Sequence, residues 1–345
     1  MMRRSFMAVL SLSAGVLLAQ GKPPEQSTLQ TTTKLVVVPT LVQTPTHEIV
    51  YSLQTDDFLL TDKGIPQLIH LDDETHQPLS LVVLMQTGGS AIREFPKYRN
   101  LETMLAGVLG KAPNQVSIVN FDSKPEAASP FTSDIAQWTD AINHPDPGDS
   151  GATIMDGLKF ALDLLAKQPA TNRRAILLIS QPQDSGSKTD AKEILRISGE
   201  TNTAIYTLTF SPQLTELKDA LKNGGQPHPP INVGNGSYVA YFELGKPLGM
   251  ILNAMKKNVP AEMASLSGGE AASFTDQSQL DSGLSTINNH IRNLYTLSFT
   301  PTSKEPGLHP IQVRLPQHPE LSVSARSSYW LSGPEDSPQK QTDSR

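Results

Sequence analysis

The chain has 345 residues, of which 37% are hydrophobic and 18% charged, and its formal net charge is −6. This composition is typical of a soluble globular protein and excludes disordered and fibrous classes. The basic residues are scattered and no basic stripe carries stacking aromatic residues, so nucleic acid is not an expected partner. The sequence contains no cysteine, which excludes disulfides, thiolate metal sites and cysteine nucleophiles.

Residues 1–20 have the pattern of a signal peptide. Arg3 and Arg4 precede the apolar run FMAVLSLSAGVLLA from Phe6 to Ala19, and small or polar residues follow it. The run is shorter than the roughly 20 residues that a membrane-spanning helix needs. We therefore expect export to the periplasm or the cell exterior, a flexible leader over residues 21–33, and no membrane span in the mature chain.

The segments near the two chain ends have the alternation of short β-strands. Residues 34–78 form the predicted N-terminal accessory β segment, with strands in KLVVVPTLVQ and HEIVYSL and a hairpin turn at Asp62-Lys63-Gly64. Residues 303–332 are predicted to form a C-terminal β hairpin, and residues 333–345 a disordered tail. We expect the two β segments to pack together as one accessory sheet.

The region 79–302 alternates buried strands with amphipathic helices, which predicts βαβ units and a mostly parallel sheet. The predicted strands are 79–85, 115–121, 174–180, 203–210 and 294–301, the last of them also parallel. The predicted helices are 98–110, 132–143, 153–168, 189–200, 261–269 and 278–293. Residues 222–249 are rich in Gly and Pro and predict a long surface loop.

The first buried strand, LVVLM (81–85), ends at a turn that reads Gln86-Thr87-Gly88-Gly89-Ser90. An apolar strand that stops at a small, hydroxylated turn is a common ligand site at the edge of an α/β sheet. This turn, however, contains no acid, lysine or histidine.

The order of motifs along the chain resembles that of a von Willebrand factor type A domain, in the variety found in exported bacterial proteins. The segments that carry this resemblance are, in chain order, DDFLLTDKGIPQ, PLSLVVL, VSIVNFDS, GATIMDGL, ILLISQPQDSGS, AIYTLTF, SLSGGEAASFTD and YTLSFTPT. The resemblance implies a doubly wound, Rossmann-like α/β fold flanked by helices. It also implies a non-enzymatic module that binds a protein partner at the carboxyl edge of its sheet.

In that family a divalent cation is held by an Asp-x-Ser-x-Ser turn, a Thr and a later Asp. The corresponding positions in this sequence are Gln86, Gly88, Ser90, Thr153 and Gln181. Both carboxylates are therefore amides and one hydroxyl is missing. Because Mg²⁺ is usually held through one or two carboxylates, the resemblance implies a degenerate site without a metal or other cofactor.

Two alternatives remain open at this stage. One is a metal-dependent adhesin that binds Mg²⁺ through a rearranged site of Ser90, Thr153 and Asp184. The other is a hydrolase with an unrecognised site, although the sequence has no G-x-S-x-G elbow, H-E-x-x-H or phosphate loop. The candidate partner-binding residues are Gln86, Thr87, Gly88, Ser90, Thr153, Gln181 and Asp184.

Three further residues or pairs have a structural interpretation. Asp122 follows a buried strand and is expected to stabilise a turn, with a supporting role in a ligand site as the alternative. Thr153 and Asp156 have the spacing of a helix N-cap pair. The pair Arg173-Arg174 is expected to be solvated surface.

Overall fold

The computed structural model describes residues 35–72, 77–109, 113–210 and 248–333. Outside these residues lie the predicted signal peptide (1–20) and leader (21–33), nearly all of the predicted loop (222–249), and all but the first residue of the predicted tail (333–345).

The described residues form strands and helices in the following order. The strands are β1 (Val36–Gln43), β2 (Leu59–Asp62), β3 (Ile65–Pro66), β4 (Ile69–Asp72), β5 (Leu79–Gln86), β6 (Gln115–Phe121), β7 (Pro125–Ala127), β8 (Arg173–Ser180), β9 (Thr203–Phe210), β10 (Ala271–Phe274), β11 (Tyr295–Phe299), β12 (Gly307–Arg314), β13 (Ser322–Ala325) and β14 (Ser328–Leu331). The α-helices are α1 (Leu101–Leu109), α2 (Ile135–Asn143), α3 (Ile154–Ala166), α4 (Ala191–Thr201), α5 (Leu248–Met255), α6 (Val259–Ser267) and α7 (Gln277–Arg292). Two 3₁₀ helices cover Thr55–Asp57 and Gly89–Asn100. Among the described residues, no helix combines the length and the apolar character needed to cross a bilayer.

The central sheet has the strand order β10-β9-β8-β5-β6-β7, and every pair except β6 with β7 is parallel. Successive side chains of β5 point to opposite faces, so Leu81 and Val83 enter one core while Val82 and Leu84 enter the other. Helices α1, α2 and α7 cover the first face, and α3 to α6 cover the second. The prediction of a doubly wound, mostly parallel sheet flanked by helices is confirmed.

The chain-end segments form two further sheets, with strand orders β13-β1-β11-β4 and β14-β12-β2-β3. Both sheets are antiparallel, and they share an apolar core that includes Val38, Leu60, Leu297, Phe299 and Ile311. The accessory β structure is therefore a sandwich of two sheets and not the single sheet that was predicted, because the strands pack face to face on a shared core. The α/β region is inserted between β4 and β11. The predicted turn at Asp62-Lys63-Gly64 does connect β2 to β3.

The prediction that residues 294–301 form the last parallel strand was wrong. Strand β11 lies antiparallel between β1 and β4, and its side chains enter the sandwich core. The outer parallel strand is β10, whose short Ala-Ala-Ser-Phe sequence carries little β propensity. The strand predicted at residues 47–53 is also absent, since only Ile49 pairs there, with Gln43. Apolar alternation predicts a strand but not its neighbours, which explains the error at β11.

Arg326 connects the sandwich to the α/β region. Its side chain is 3% exposed and donates hydrogen bonds to Ser328 O (2.6 Å), Val37 O (3.2 Å) and Asn202 Oδ1 (3.2 Å). Asn202 is the C-cap of α4, and Gly268, the C-cap of α6, packs against the Arg326 backbone. Burial lowers the pKa of Arg326 to about 10, so the guanidinium is charged at neutral pH. The partial negative charge at the carboxyl ends of α4 and α6 favours the charged guanidinium of Arg326 at this position.

We expect Arg326→Met to lower the free energy of unfolding by about 2–4 kcal/mol, because three buried acceptors lose a charged donor while the apolar stem is kept. Urea denaturation of the full chain measures this change. Arg314→Met, at an exposed position of β12, is the matched control and should stay within about 0.5 kcal/mol of the parent. Equal midpoints for the two variants would contradict this role of Arg326.

Candidate functional site

The carboxyl ends of β5 and β8 meet at one edge of the central sheet because these parallel strands are neighbours. Gln86 is the last residue of β5, and Gln181 directly follows β8. Ser90 lies in the 3₁₀ helix after the first turn, and Thr153 directly precedes α3. The structure thus brings the residues predicted from the family pattern to one edge of the sheet.

Gln86 and Gln181 form a mutual pair of hydrogen bonds. The backbone N–H of Gln181 donates to Gln86 Oε1 (2.9 Å), and Gln86 Nε2 donates to Gln181 Oε1 (3.2 Å) and to Gly88 O (3.0 Å). A backbone N–H can only donate, so this contact determines which end of the Gln86 amide is the oxygen. The Gln86 side chain is fully buried, at 0% exposure. The two amides therefore satisfy each other without any charge.

The remaining polar groups of Gln181 also have partners. Its Oε1 accepts a hydrogen bond from Ser90 Oγ (3.3 Å), and its Nε2 donates to Gln183 O (2.8 Å). All four side-chain polar atoms of Gln86 and Gln181 are thus hydrogen-bonded within the protein. The buried amide of Gln86 and the partly exposed amide of Gln181 thus form a closed network.

Gly88 lies where a second loop packs against the turn. A Cβ at this position would lie 2.4 Å from Gly151 O and 2.7 Å from Asp149 O, both backbone atoms. The same loop accepts a hydrogen bond from the backbone N–H of Gly89 at Asp149 O (2.7 Å). The position where the family supplies a serine hydroxyl is therefore occupied by the backbone of residues 149–151.

Two aspartates hold this second loop, and the sequence analysis recognised only one of them. Asp149 Oδ1 accepts hydrogen bonds from the backbone N–H groups of Gly151 (2.7 Å) and Ser123 (3.1 Å). The Ser123 hydroxyl, followed by the Gly151 N–H, lowers the pKa of Asp149. Asp122 accepts from the N–H groups of Lys124 (2.9 Å) and Asp149 (3.0 Å), which is the turn-stabilising role expected of it. For Asp149 the sequence offered only a turn-rich composition.

Thr153 is 3% exposed, and its hydroxyl donates to Asp122 O (2.9 Å) and accepts no hydrogen bond from the helix that follows. Thr153 is thus the N-cap residue of α3 by position, but the predicted capping hydrogen bonds of Thr153 and Asp156 do not form. The carboxylate of Asp156 instead accepts hydrogen bonds from the backbone and hydroxyl of Thr189 and from the backbone of Lys188. Burial alone would raise the pKa of Asp156, but these hydrogen bonds lower it overall.

Asp184 and Ser187 supply the cap of α3 from the loop after β8. The backbone N–H of Met155 donates to Asp184 Oδ1 (3.1 Å) and to Ser187 Oγ (3.1 Å), and the two side chains are joined at 2.5 Å. A carboxylate at a helix N-terminus is favoured because it satisfies free N–H groups and complements the helix dipole. These contacts give Asp184 and Ser187 a structural role. Both residues are remote in sequence from α3, the helix that they cap.

The side-chain oxygen atoms at this edge do not match the ligand set that a Mg²⁺ ion needs. Ser90 is bonded to Gln181, Thr153 to Asp122 O and Asp184 to the start of α3, and these three residues share no hydrogen-bond partner within the described ranges. The described part of the chain also holds no group of three or more His, Asp or Glu residues suited to a metal ion. Neutral amide oxygens compensate poorly for the dehydration of a small divalent cation.

The strand order and the loops at the carboxyl edge define a doubly wound α/β domain with its site at the switch point of the sheet. The sequence profile of the von Willebrand factor type A domain matches residues 81–184. The chain therefore contains a von Willebrand factor type A domain, a fold that generally serves protein–protein interaction. None of the curated proteins that were compared matches the chain in sequence.

Several solved structures are similar to parts of this chain. An aerotolerance-related membrane protein from Bacteroides fragilis is 16% identical, with 62% of this chain and 98% of that chain covered and a TM-score of 0.41. BatB from Bacteroides thetaiotaomicron is 13% identical, with coverages of 61% and 98% and a TM-score of 0.38. Proximal thread matrix protein 1 from the mussel byssus is 11% identical, with coverages of 67% and 49% and a TM-score of 0.43. At these identities the likeness concerns the fold alone.

We expect Gly88→Ser to lower the free energy of unfolding by about 2–3 kcal/mol, because the new side chain meets backbone atoms that can move only with their loop. Gly88 has φ −90°, so the cause would be steric and not conformational. Gly249→Ser is the control, since no atom lies within 4 Å of its Cβ position. Thermal unfolding of both variants measures the difference, and an unchanged Gly88→Ser protein would refute this packing.

Proposed function

We propose that the chain is an exported, non-enzymatic module for protein–protein interaction or scaffolding that works without a resident cation. The observation that carries the proposal is the closed, neutral network of Gln86 and Gln181, at positions where the family pattern has carboxylates. A cation at this edge would have to break these hydrogen bonds and would gain no charged ligand from either residue.

The proposed partner surface consists of the exposed loops around this edge. Gln86, Thr87 and Thr153, which the sequence analysis included as partner-binding candidates, are at most 3% exposed and are inaccessible to a partner. Gly88 is likewise buried. Ser90, Gln181 and Asp184 are partly exposed, and Lys124, Ser150 and Gln183 around them are exposed. A partner would therefore contact loop tips and not the amide pair below them.

Export is supported by the amino-terminal sequence pattern, with Arg3 and Arg4 before the apolar run that ends at Ala19. The lack of cysteine means that a large apolar core, and not disulfides, stabilises the domain outside the cytoplasm. The non-enzymatic role is supported by the structural engagement of Asp184 and Ser187, since a nucleophile needs a free hydroxyl and an adjacent base.

We expect the parent protein to bind Mg²⁺ and Mn²⁺ with a dissociation constant no lower than about millimolar. The Gln86→Asp/Gln181→Asp variant should bind both cations more tightly than the parent, with a dissociation constant of about millimolar or lower. Gly88 is kept because a serine there would collide with the second loop. In the variant, two neighbouring carboxylates repel each other until a cation neutralises them, so added Mg²⁺ should also raise its unfolding temperature.

Isothermal titration and thermal unfolding with each cation measure these effects. Gln183→Asp is the control, because Gln183 is exposed on the same loop and adding one charge there should create no site. Tight cation binding by the parent, lost on Asp184→Ala, would overturn the proposal in favour of the rearranged metal site.

A photo-reactive amino acid at Ser150 or Gln183 should cross-link one protein of the native envelope, with the same partner from both positions and with EDTA present. Both side chains are exposed at the proposed surface, whereas Glu320 is exposed elsewhere, in the loop before β13. Excess unlabelled parent protein should abolish the product. Cross-linking that requires Mg²⁺, or that is equally strong from Glu320, would contradict a cation-free partner site at this edge.

A further inference from the structure

A cavity lies at the opposite, amino edge of the central sheet, where the α/β region meets the sandwich. Its volume is about 110 Å³. The first two residues of β8, Arg173 and Arg174, line it together with the turn before β9 and residues of β1. Both arginines are half-buried, so the prediction that they are solvated surface was wrong. The start of a strand can face solvent or a domain junction, and sequence alone does not distinguish the two.

Arg174, one of the residues that line this cavity, has an unsatisfied hydrogen-bond donor. Its Nη1 donates to Thr201 O (3.1 Å) and its Nη2 to Gln168 O (2.9 Å), but its Nε is buried and has no partner among the described residues. Burial lowers the pKa of Arg174. A buried guanidinium N–H without an acceptor is costly, because the group has lost water and gained nothing in exchange.

Two further guanidinium groups lie close by, and both use neutral acceptors. Arg173 Nη2 donates to the backbone carbonyl of Ile291, which is the one hydrogen bond of this five-donor side chain within the described ranges. Arg326 donates to Val37 O and to Asn202 Oδ1, and both of these residues line the cavity. Two positive charges, those of Arg173 and Arg174, therefore line a space of small-molecule size, and Arg326 is bonded to two residues of its wall.

These charges are not balanced by carboxylates within the part of the chain that the structure describes. Arg173, Arg174 and Arg326 form no ion pair there, and the described residues that line the cavity include no aspartate or glutamate. Outside the lining, Glu200 forms an ion pair with Arg196 (2.7 Å), and Glu270 is hydrogen-bonded to the imidazole of His290 (2.8 Å). Partly buried arginines beside a cavity whose described lining has no carboxylate are stabilised by a bound anion.

We propose that this cavity binds a small oxyanion, of the size of phosphate, sulfate or a short carboxylate. The planar fork of arginine matches the paired oxygens of these anions and forms bidentate hydrogen bonds with them. Tyr206, also in the lining, stays neutral because burial raises its pKa, so its hydroxyl remains a possible donor. The anion would also join β1 to β8, and thereby the sandwich to the α/β region.

The test uses the full chain with inorganic phosphate, sulfate and acetate, each compared with chloride at equal ionic strength. A bound anion should raise the unfolding temperature in a saturable way, because it binds only the folded state. In side-chain NMR spectra of the ¹⁵N-arginine-labelled protein, the Arg174 Nε–H signal should shift with anion concentration. A larger rise in unfolding temperature with phosphate than with acetate would indicate a tetrahedral ligand, and a larger rise with acetate would indicate a carboxylate. No effect beyond that of chloride with any of the three anions would overturn the proposal.

Variants assign the effect to the cavity. Arg173→Gln removes one guanidinium group and should weaken phosphate binding about tenfold or more. The loss of a charged hydrogen bond worth about 1.4 kcal/mol corresponds to a tenfold change in affinity. Arg173→Lys keeps the charge without the fork and should bind with intermediate strength. Arg314→Gln, exposed on β12, controls for net charge. Equal weakening by Arg314→Gln and Arg173→Gln would show non-specific screening and would also overturn the proposal.

Discussion

The hydrogen-bonded pair of Gln86 and Gln181 is the constraint on which the carboxyl edge of the sheet depends. It joins the ends of two central, parallel strands, and Gln86 is completely buried. An ionised carboxylate at this depth would need a cation or another counter-charge, since burying an unpaired charge costs several kcal/mol. The neutral amides remove that requirement, and the absence of a side chain at Gly88 allows residues 149–151 to pack directly on the turn.

The carboxyl edge and the amino edge of the central sheet differ in their electrostatics. At the carboxyl edge, the amides of Gln86 and Gln181 are matched by donors and acceptors, Asp149 and Asp156 hold loop backbones, and Asp184 caps α3. At the amino edge, the charges of Arg173 and Arg174 meet only neutral carbonyl groups. The polar side chains of the first edge are thus bonded to one another, whereas the second edge has an unsatisfied donor, Arg174 Nε, among the described residues.

Much of the central sheet could be predicted because its strands are continuous apolar runs between amphipathic helices. Strands β6 and β9 have the predicted bounds, since their apolar residues end at polar neighbours. The placement of β11 could not be predicted, because alternation does not identify a strand's partners. The cap of α3 was also missed, since Asp184 and Ser187 reach Met155 from a different loop. Local spacing had favoured Thr153 and Asp156.

The sequence by itself determined the class of fold and the chemistry of the site: the positions of Gln86, Gly88 and Gln181 follow from motif order, and their lack of charge from residue type. Only the tertiary structure decided how those residues are used. Whether two amides face each other, which loop occupies the space beside Gly88, and whether Arg173 and Arg174 meet solvent or a cavity all depend on contacts between segments distant in sequence. Such contacts are set by the packing of whole elements, which local residue patterns do not encode.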